Sequence, residues 1–155
     1  MLRILLSAFT VLALVLGAQA QDTGKKVSQI TFASSDKNED GLVTLGEAGQ
    51  LASNAFLSMD ANDNSLVSRS EFLEWDWGYM YLAEQAGKVE RYSAVKRVLF
   101  ALRDRNGDGD ISRKEMRLSM LADFARADLN NDGALSEKEY LSAWTPIVVL
   151  KTAKK

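Results

Sequence analysis

Oxygen-bearing side chains recur four times in this 155-residue chain at one fixed spacing. The segments read DKNEDGLVTLGE at Asp36–Glu47, DANDNSLVSRSE at Asp60–Glu71, DRNGDGDISRKE at Asp104–Glu115 and DLNNDGALSEKE at Asp128–Glu139. Each places acid or amide oxygens at positions 1, 3 and 5 and a glutamate at position 12. The sets are Asp36, Asn38, Asp40 and Glu47; Asp60, Asn62, Asn64 and Glu71; Asp104, Asn106, Asp108 and Glu115; and Asp128, Asn130, Asp132 and Glu139. Ligands that are all oxygen suit a hard cation, and calcium takes about six to eight of them. A glutamate able to offer both oxygens favours calcium over magnesium, which demands a tighter octahedron.

Other chemistry is short of parts. The chain has no Cys, which excludes disulfides, zinc thiolates and a thiol nucleophile. It has no His, which removes the commonest general base and the usual transition-metal ligand. The carboxylates are better explained as cation ligands than as acid–base catalysts, so no catalytic residue and no enzyme activity are expected. Residues 1–20 read as a leader: a basic Arg3, an apolar run from Ile4 to Leu16, and the small-x-small pattern Ala18-Gln19-Ala20. The remaining domain, 21–155, carries 18 basic and 21 acidic residues, a net charge of 18 − 21 = −3. That balance argues against nucleic acid. The expected location is exported, periplasmic or secreted, with no membrane attachment after leader cleavage.

The flanks repeat with the loops. Phe32, Phe56, Phe100 and Phe124 each stand four residues before a loop, and Val43, Val67, Ile111 and Leu135 each occupy position 8. Thr44/Glu47, Ser68/Glu71, Ser112/Glu115 and Ser136/Glu139 have capping-box spacing, so each loop also starts a helix. With these features the chain resembles the calmodulin-type EF-hand superfamily, and with its leader it is similar to small exported bacterial EF-hand proteins. The resemblance covers most of residues 27–145. It implies that position 7 contributes a backbone carbonyl, from Leu42, Leu66, Asp110 and Ala134, and that position 9 acts through water. It implies calcium as the bound ion, up to four per chain. The function expected is calcium binding by a sensor or calcium-dependent interaction module, the alternative being a buffer or calcium-stabilised scaffold.

The expected fold is all-α, with about six helices over 26–35, 45–59, 69–86, 89–103, 113–127 and 137–145. Pro146 either ends the last helix or begins a new segment, and the basic tail Lys151–Lys155 reads as frayed. Only twelve residues separate Glu47 from Asp60, and twelve separate Glu115 from Asp128. Twelve residues make one helix of roughly 18 Å and no more. Consecutive hands must therefore share a helix, with their loops at opposite ends. Loop 2 is then expected to pair with loop 3, leaving loop 1 to face loop 4 or a second molecule.

The loops are unequal. Loop 2 has only two acidic ligands, Asp60 and Glu71, and Ser65 stands where the others have Gly41, Gly109 and Gly133. Its positive-φ position should cost Ser65 about 1 kcal/mol, so loop 2 is expected to be weakest. Beyond it, the aromatic stretch Phe72–Tyr81 reads as a helix with two apolar faces: Phe72, Trp75, Tyr79 and Leu82 on one, Leu73, Trp77, Met80 and Tyr81 on the other. Two-sided core packing explains this. So would a calcium-exposed groove for an apolar peptide partner, lined by Met59, Met80, Met116 and Met120.

Overall fold

A computed structural model describes residues 27–152. The expected leader, 1–20, lies outside the described residues, as does the tail 153–155. Helix α1 covers 27–35. It is succeeded by β1 (Leu42–Thr44), α2 (Leu45–Met59), β2 (Leu66–Ser68), α3 (Arg69–Glu74), α4 (Met80–Gln85), α5 (Val89–Arg103), β3 (Asp110–Ser112), α6 (Arg113–Ala127), β4 (Ala134–Ser136), α7 (Glu137–Ala143) and α8 (Thr145–Thr152). The described chain is thus mostly helical, with eight helices and two small antiparallel sheets rather than six helices alone.

The sheets settle how the loops pair. β2 lies against β3, with Val67 opposite Ile111, and β1 lies against β4, with Val43 opposite Leu135. Loop 2 therefore pairs with loop 3 as the spacing requires, and loop 1 pairs with loop 4 of the same chain. All four position-8 side chains are fully buried. Each is the innermost residue of its three-residue strand, so one strand pair anchors one core.

There are accordingly two cores. Phe56, Phe72, Phe100, Val67 and Ile111 belong to the first, beneath loops 2 and 3. Phe32, Phe124, Val43, Leu135 and Tyr140 belong to the second, beneath loops 1 and 4. The shared helices α2 and α6 join them. α2 gives Ala48 to the second core and Phe56 and Met59 to the first; α6 gives Met116 to the first and Met120 and Phe124 to the second. Each has 15 residues, or about 22 Å, which spans one core to the other. α8 also bridges them, burying Ile147 in one and Leu150 in the other.

Two helix expectations need correction. The predicted helix 69–86 is broken: α3 stops at Glu74 and α4 starts at Met80. Trp75 is extended at the cap, Gly78 has φ +79°, and the Asp76 carboxylate accepts the Gly78 N–H at 2.8 Å. The nearly buried Lys96 of α5 donates its ammonium to the carbonyls of Leu73 and Trp75. A cation at a helix C-terminus satisfies carbonyls left without N–H partners and suits the dipole there. The aromatic stretch therefore forms no two-faced helix: Phe72, Tyr79 and Leu82 are buried, Trp75 and Trp77 are part-buried and meet edge to face at 5.0 Å, and Tyr81 is exposed.

The predicted helix 137–145 likewise ends at Ala143, and Pro146 lies in the first turn of the new helix α8. Proline's missing N–H has no intrahelical partner to lose there. Lys151, expected to be frayed, is helical and donates to the Leu141 carbonyl at 3.0 Å.

Candidate calcium loops

Each loop begins where a helix runs out. The N–H of the position-1 aspartate closes the last helical turn on the phenylalanine carbonyl four residues back: Asp36 on Phe32, Asp60 on Phe56, Asp104 on Phe100 and Asp128 on Phe124, all at 2.9–3.0 Å. The aspartate side chain then folds the loop around itself. Asp36 accepts from the N–H groups of Asp40 and Gly41 at 3.1 and 2.8 Å. Asp60 accepts from Asn64 and Ser65, each at 3.0 Å. Asp104 accepts from Gly107 and Gly109 at 2.7 and 3.1 Å, and Asp128 from Asp132 and Gly133 at 3.1 and 3.0 Å.

Positions 3 and 5 continue the pattern. The side-chain oxygens of Asn38, Asn62, Asn106 and Asn130 accept from the position-5 N–H of their own loop at 2.9–3.3 Å. Those of Asp40, Asn64, Asp108 and Asp132 accept from the position-7 N–H of Leu42, Leu66, Asp110 and Ala134 at 2.8–3.0 Å. Side-chain oxygens at 1, 3 and 5 are thereby tied to the backbone that wraps them.

The position-12 glutamate serves as helix cap and loop clasp together. Thr44, Ser68, Ser112 and Ser136 form reciprocal capping boxes with Glu47, Glu71, Glu115 and Glu139. One carboxylate oxygen takes the position-9 N–H and hydroxyl. The other reaches back ten residues to the position-2 N–H of Lys37, Ala61, Arg105 or Leu129, at 2.8–3.1 Å. These bonds hold the carboxyls below the ordinary glutamate range. The dominant donor is the Thr44 N–H for Glu47, the Ser68 hydroxyl for Glu71 and the Ser136 hydroxyl for Glu139. For Glu115, burial pushes upward, and the bonds from Ser112, Asn106 and Arg105 together outweigh it. All four glutamates are therefore ionised at neutral pH.

Among the described residues, no three acidic side chains by themselves form a cluster able to hold a metal. The donor set instead has to be mixed: two or three carboxylates, the amide oxygen at position 3 and the position-7 carbonyl. That set fits a hard oxygen-seeking cation, because a carboxylate or amide oxygen that accepts one N–H keeps a second lone pair.

The backbone ranks the loops more finely than their residue types do. Ser65 takes φ +68°, as its place in loop 2 demands. Position 4 is also left-handed in every loop: Glu39 at +59°, Asp63 at +56°, Gly107 at +73° and Asn131 at +59°. Loop 3 has glycine at both such positions and loop 2 has glycine at neither. Loops 1 and 4 each have one strained residue, and asparagine tolerates this region better than glutamate. Backbone strain thus rises in the order loop 3, loop 4, loop 1, loop 2. In the sequence, Gly107 is the one visible signal that position 4 matters.

Two groups of buried charge also lie outside what loop spacing reveals. Lys96 is one. The other is Arg103, which pairs with Asp123 at 3.3 Å, while Arg126 holds the opposite side of that carboxylate. Tyr92, Lys96, Leu99 and Arg103 recur at helical spacing on the buried face of α5, so the periodicity does carry the signal.

Four helix-flanked loops, each starting at an aspartate and closing on a capping-box glutamate, are paired two and two through their short strands. The EF hand family model matches residues 97–120 and 121–142. These segments contain loops 3 and 4 with α6 between them, support the EF-hand superfamily for this chain and imply that it binds calcium. No curated protein matches it.

Proposed function

We propose that this chain is an exported, non-enzymatic calcium sensor that holds up to four ions. The ligands would be the position 1, 3, 5 and 12 side chains and the position-7 carbonyls, with loop 60–71 the weakest. The observation that carries this reading is that all four loops share the same bonds to the side-chain oxygens at positions 3, 5 and 12 and the same position-6 N–H to the position-1 aspartate, including the two loops outside the matched segments. The residue next to each closing glutamate supports a sensor role. Ala48, Phe72, Met116 and Tyr140 are all core residues, so a small movement of the carboxylate is felt directly by side-chain packing.

A buffer or calcium-stabilised scaffold is favoured by a different observation. The loop's own N–H groups already hold each closing glutamate, which leaves an ion less rearrangement to drive. Calorimetric titration of residues 21–155 with calcium, with magnesium present and absent, tests the binding. Four sites that survive magnesium are expected, and no calcium-specific heat would refute it. Dye binding to apolar surface separates the two roles. A calcium-dependent increase supports the sensor, and an unchanged signal supports the buffer.

A further inference from the structure

The seam between the two cores holds a cavity of about 260 Å³. Trp75, Trp77, Tyr140 and Trp144 line it, together with Met59 and Met116. Three charged side chains also face it. Arg103 and Asp123 neutralise each other, and the Asp76 carboxylate accepts the Gly78 N–H. Two buried donors among these lining residues have no acceptor: Trp77 Nε1 and Arg103 Nε. A buried donor left unpaired costs about 1–3 kcal/mol, and folded proteins leave few of them. Two on residues that line one aromatic-walled cavity leave an acceptor to be supplied there, by water or by a ligand.

Size and charge narrow what supplies it. At roughly 30 Å³ per water the volume equals about nine waters. One turn of helix, about 10 Å across and 5.4 Å long, occupies roughly 400 Å³. That volume matches a small molecule more closely than a helical turn. The lining charges already have partners, Asp123 in Arg103 and Arg126 and Asp76 in the nearby Lys96, so no unpaired charge calls for an ionic ligand. Flat aromatic walls suit a flat ring, and Met59, Met116 and Met120 adapt to its outline.

We propose that this cavity is a binding site for a neutral, flat aromatic small molecule bearing a hydrogen-bond-accepting oxygen, of the aryl ketone or aldehyde type. The oxygen accepts from Trp77 Nε1, Arg103 Nε or both, and the ring packs among the aromatic walls. The cavity uses none of the loop ligands, but Met59, Arg103, Met116 and Tyr140 in its wall adjoin Asp60, Asp104, Glu115 and Glu139, so the titrations are run both in calcium and in chelator, and binding in either state supports the site.

The chain has three tryptophans and all three line the cavity, so intrinsic fluorescence reports on it directly. The purified protein is titrated with 2-acetylnaphthalene, with the shape-matched 2-ethylnaphthalene and with 2-naphthoate. The ketone is expected to quench saturably at one equivalent and to bind at least tenfold more tightly than either of the others. Trp77→Phe should remove most of the advantage of the ketone over the hydrocarbon while leaving hydrocarbon binding in place. Ala55→Phe, which fills the cavity from α2, should abolish both. The comparison of the three probes on the unmodified protein stands even if a variant fails to fold. Absence of saturable binding, equal affinity for ketone and hydrocarbon, or tightest binding of the naphthoate would each overturn the proposal. So would ordered waters that satisfy both donors and are not displaced by the ketone.

Discussion

Ser65→Gly tests how much the backbone contributes to the weakness proposed for loop 2. Ser65 is held at φ +68° by its place in the loop, and its N–H donates to Asp60 at 3.0 Å. A side chain in the left-handed region costs about 1 kcal/mol or somewhat more, and glycine occupies the same region freely. Glycine's larger entropy loss on ordering returns part of that gain, so a net stabilisation of about 1 kcal/mol is an upper figure. Two assays divide it. If the loop keeps this conformation without calcium, the gain appears as a rise of about 2–4 °C in the ion-free melting temperature, with affinity unchanged. If the loop relaxes without the ion, the gain appears as an approximately fivefold tighter loop 2 site. The reciprocal change Gly133→Ser, at the same loop position with φ +86°, should lose a similar amount from loop 4. Calorimetry of both variants with and without calcium, beside Glu71→Gln to assign the loop 2 phase, measures the sum. If Ser65→Gly changed neither melting temperature nor affinity, the argument from strain would fail.

Asn64→Asp supplies loop 2 with a third carboxylate. A divalent ion at ~4 Å from an added charge in water gains about 2 kcal/mol, so calorimetry should show that site tightening by roughly ten- to thirtyfold. The four closing glutamates are held below their ordinary range in the fold. Their contribution is therefore present above about pH 4.5 and lost as pH falls through the depressed values. In chelator, acid unfolding followed by circular dichroism should show stability falling below that point, and less steeply in Glu71→Gln. Lys96→Met leaves the Leu73 and Trp75 carbonyls without their buried donor. It should lower stability by about 1–3 kcal/mol in denaturant melts and alter the near-ultraviolet signal of the neighbouring tryptophans.

The loops were legible because their logic is local. A position-1 aspartate, an Asx pattern at 3 and 5 and a capping-box glutamate all act within twelve residues, so spacing alone located them. Loop pairing was legible for a different reason: a twelve-residue linker has room for one helix, and its length excludes side-by-side pairing of the loops it joins. The break at Trp75–Tyr79 was not legible. Its carbonyls are met by Lys96, twenty-one residues beyond Trp75, and the one local signal, Gly78 in its turn with Asp76, is outweighed by the apolar content of the stretch. The two-faced aromatic helix failed with it.

The amino-acid order by itself therefore determined the set of oxygen donors, the residues that start and end each loop, and the helix lengths between them. Tertiary structure decided how those units meet. It chose loop 4 of the same chain over a second molecule as the partner of loop 1, because β1 and β4 meet when α2 and α6 pack together. It carried Met59, Met116, Trp75 and Trp144 from distant segments to one seam. The physical reason is range. Turn and cap chemistry is complete within a few bonds of the residue that performs it, whereas a cavity and its unpaired donors exist only once separate helices have been brought face to face.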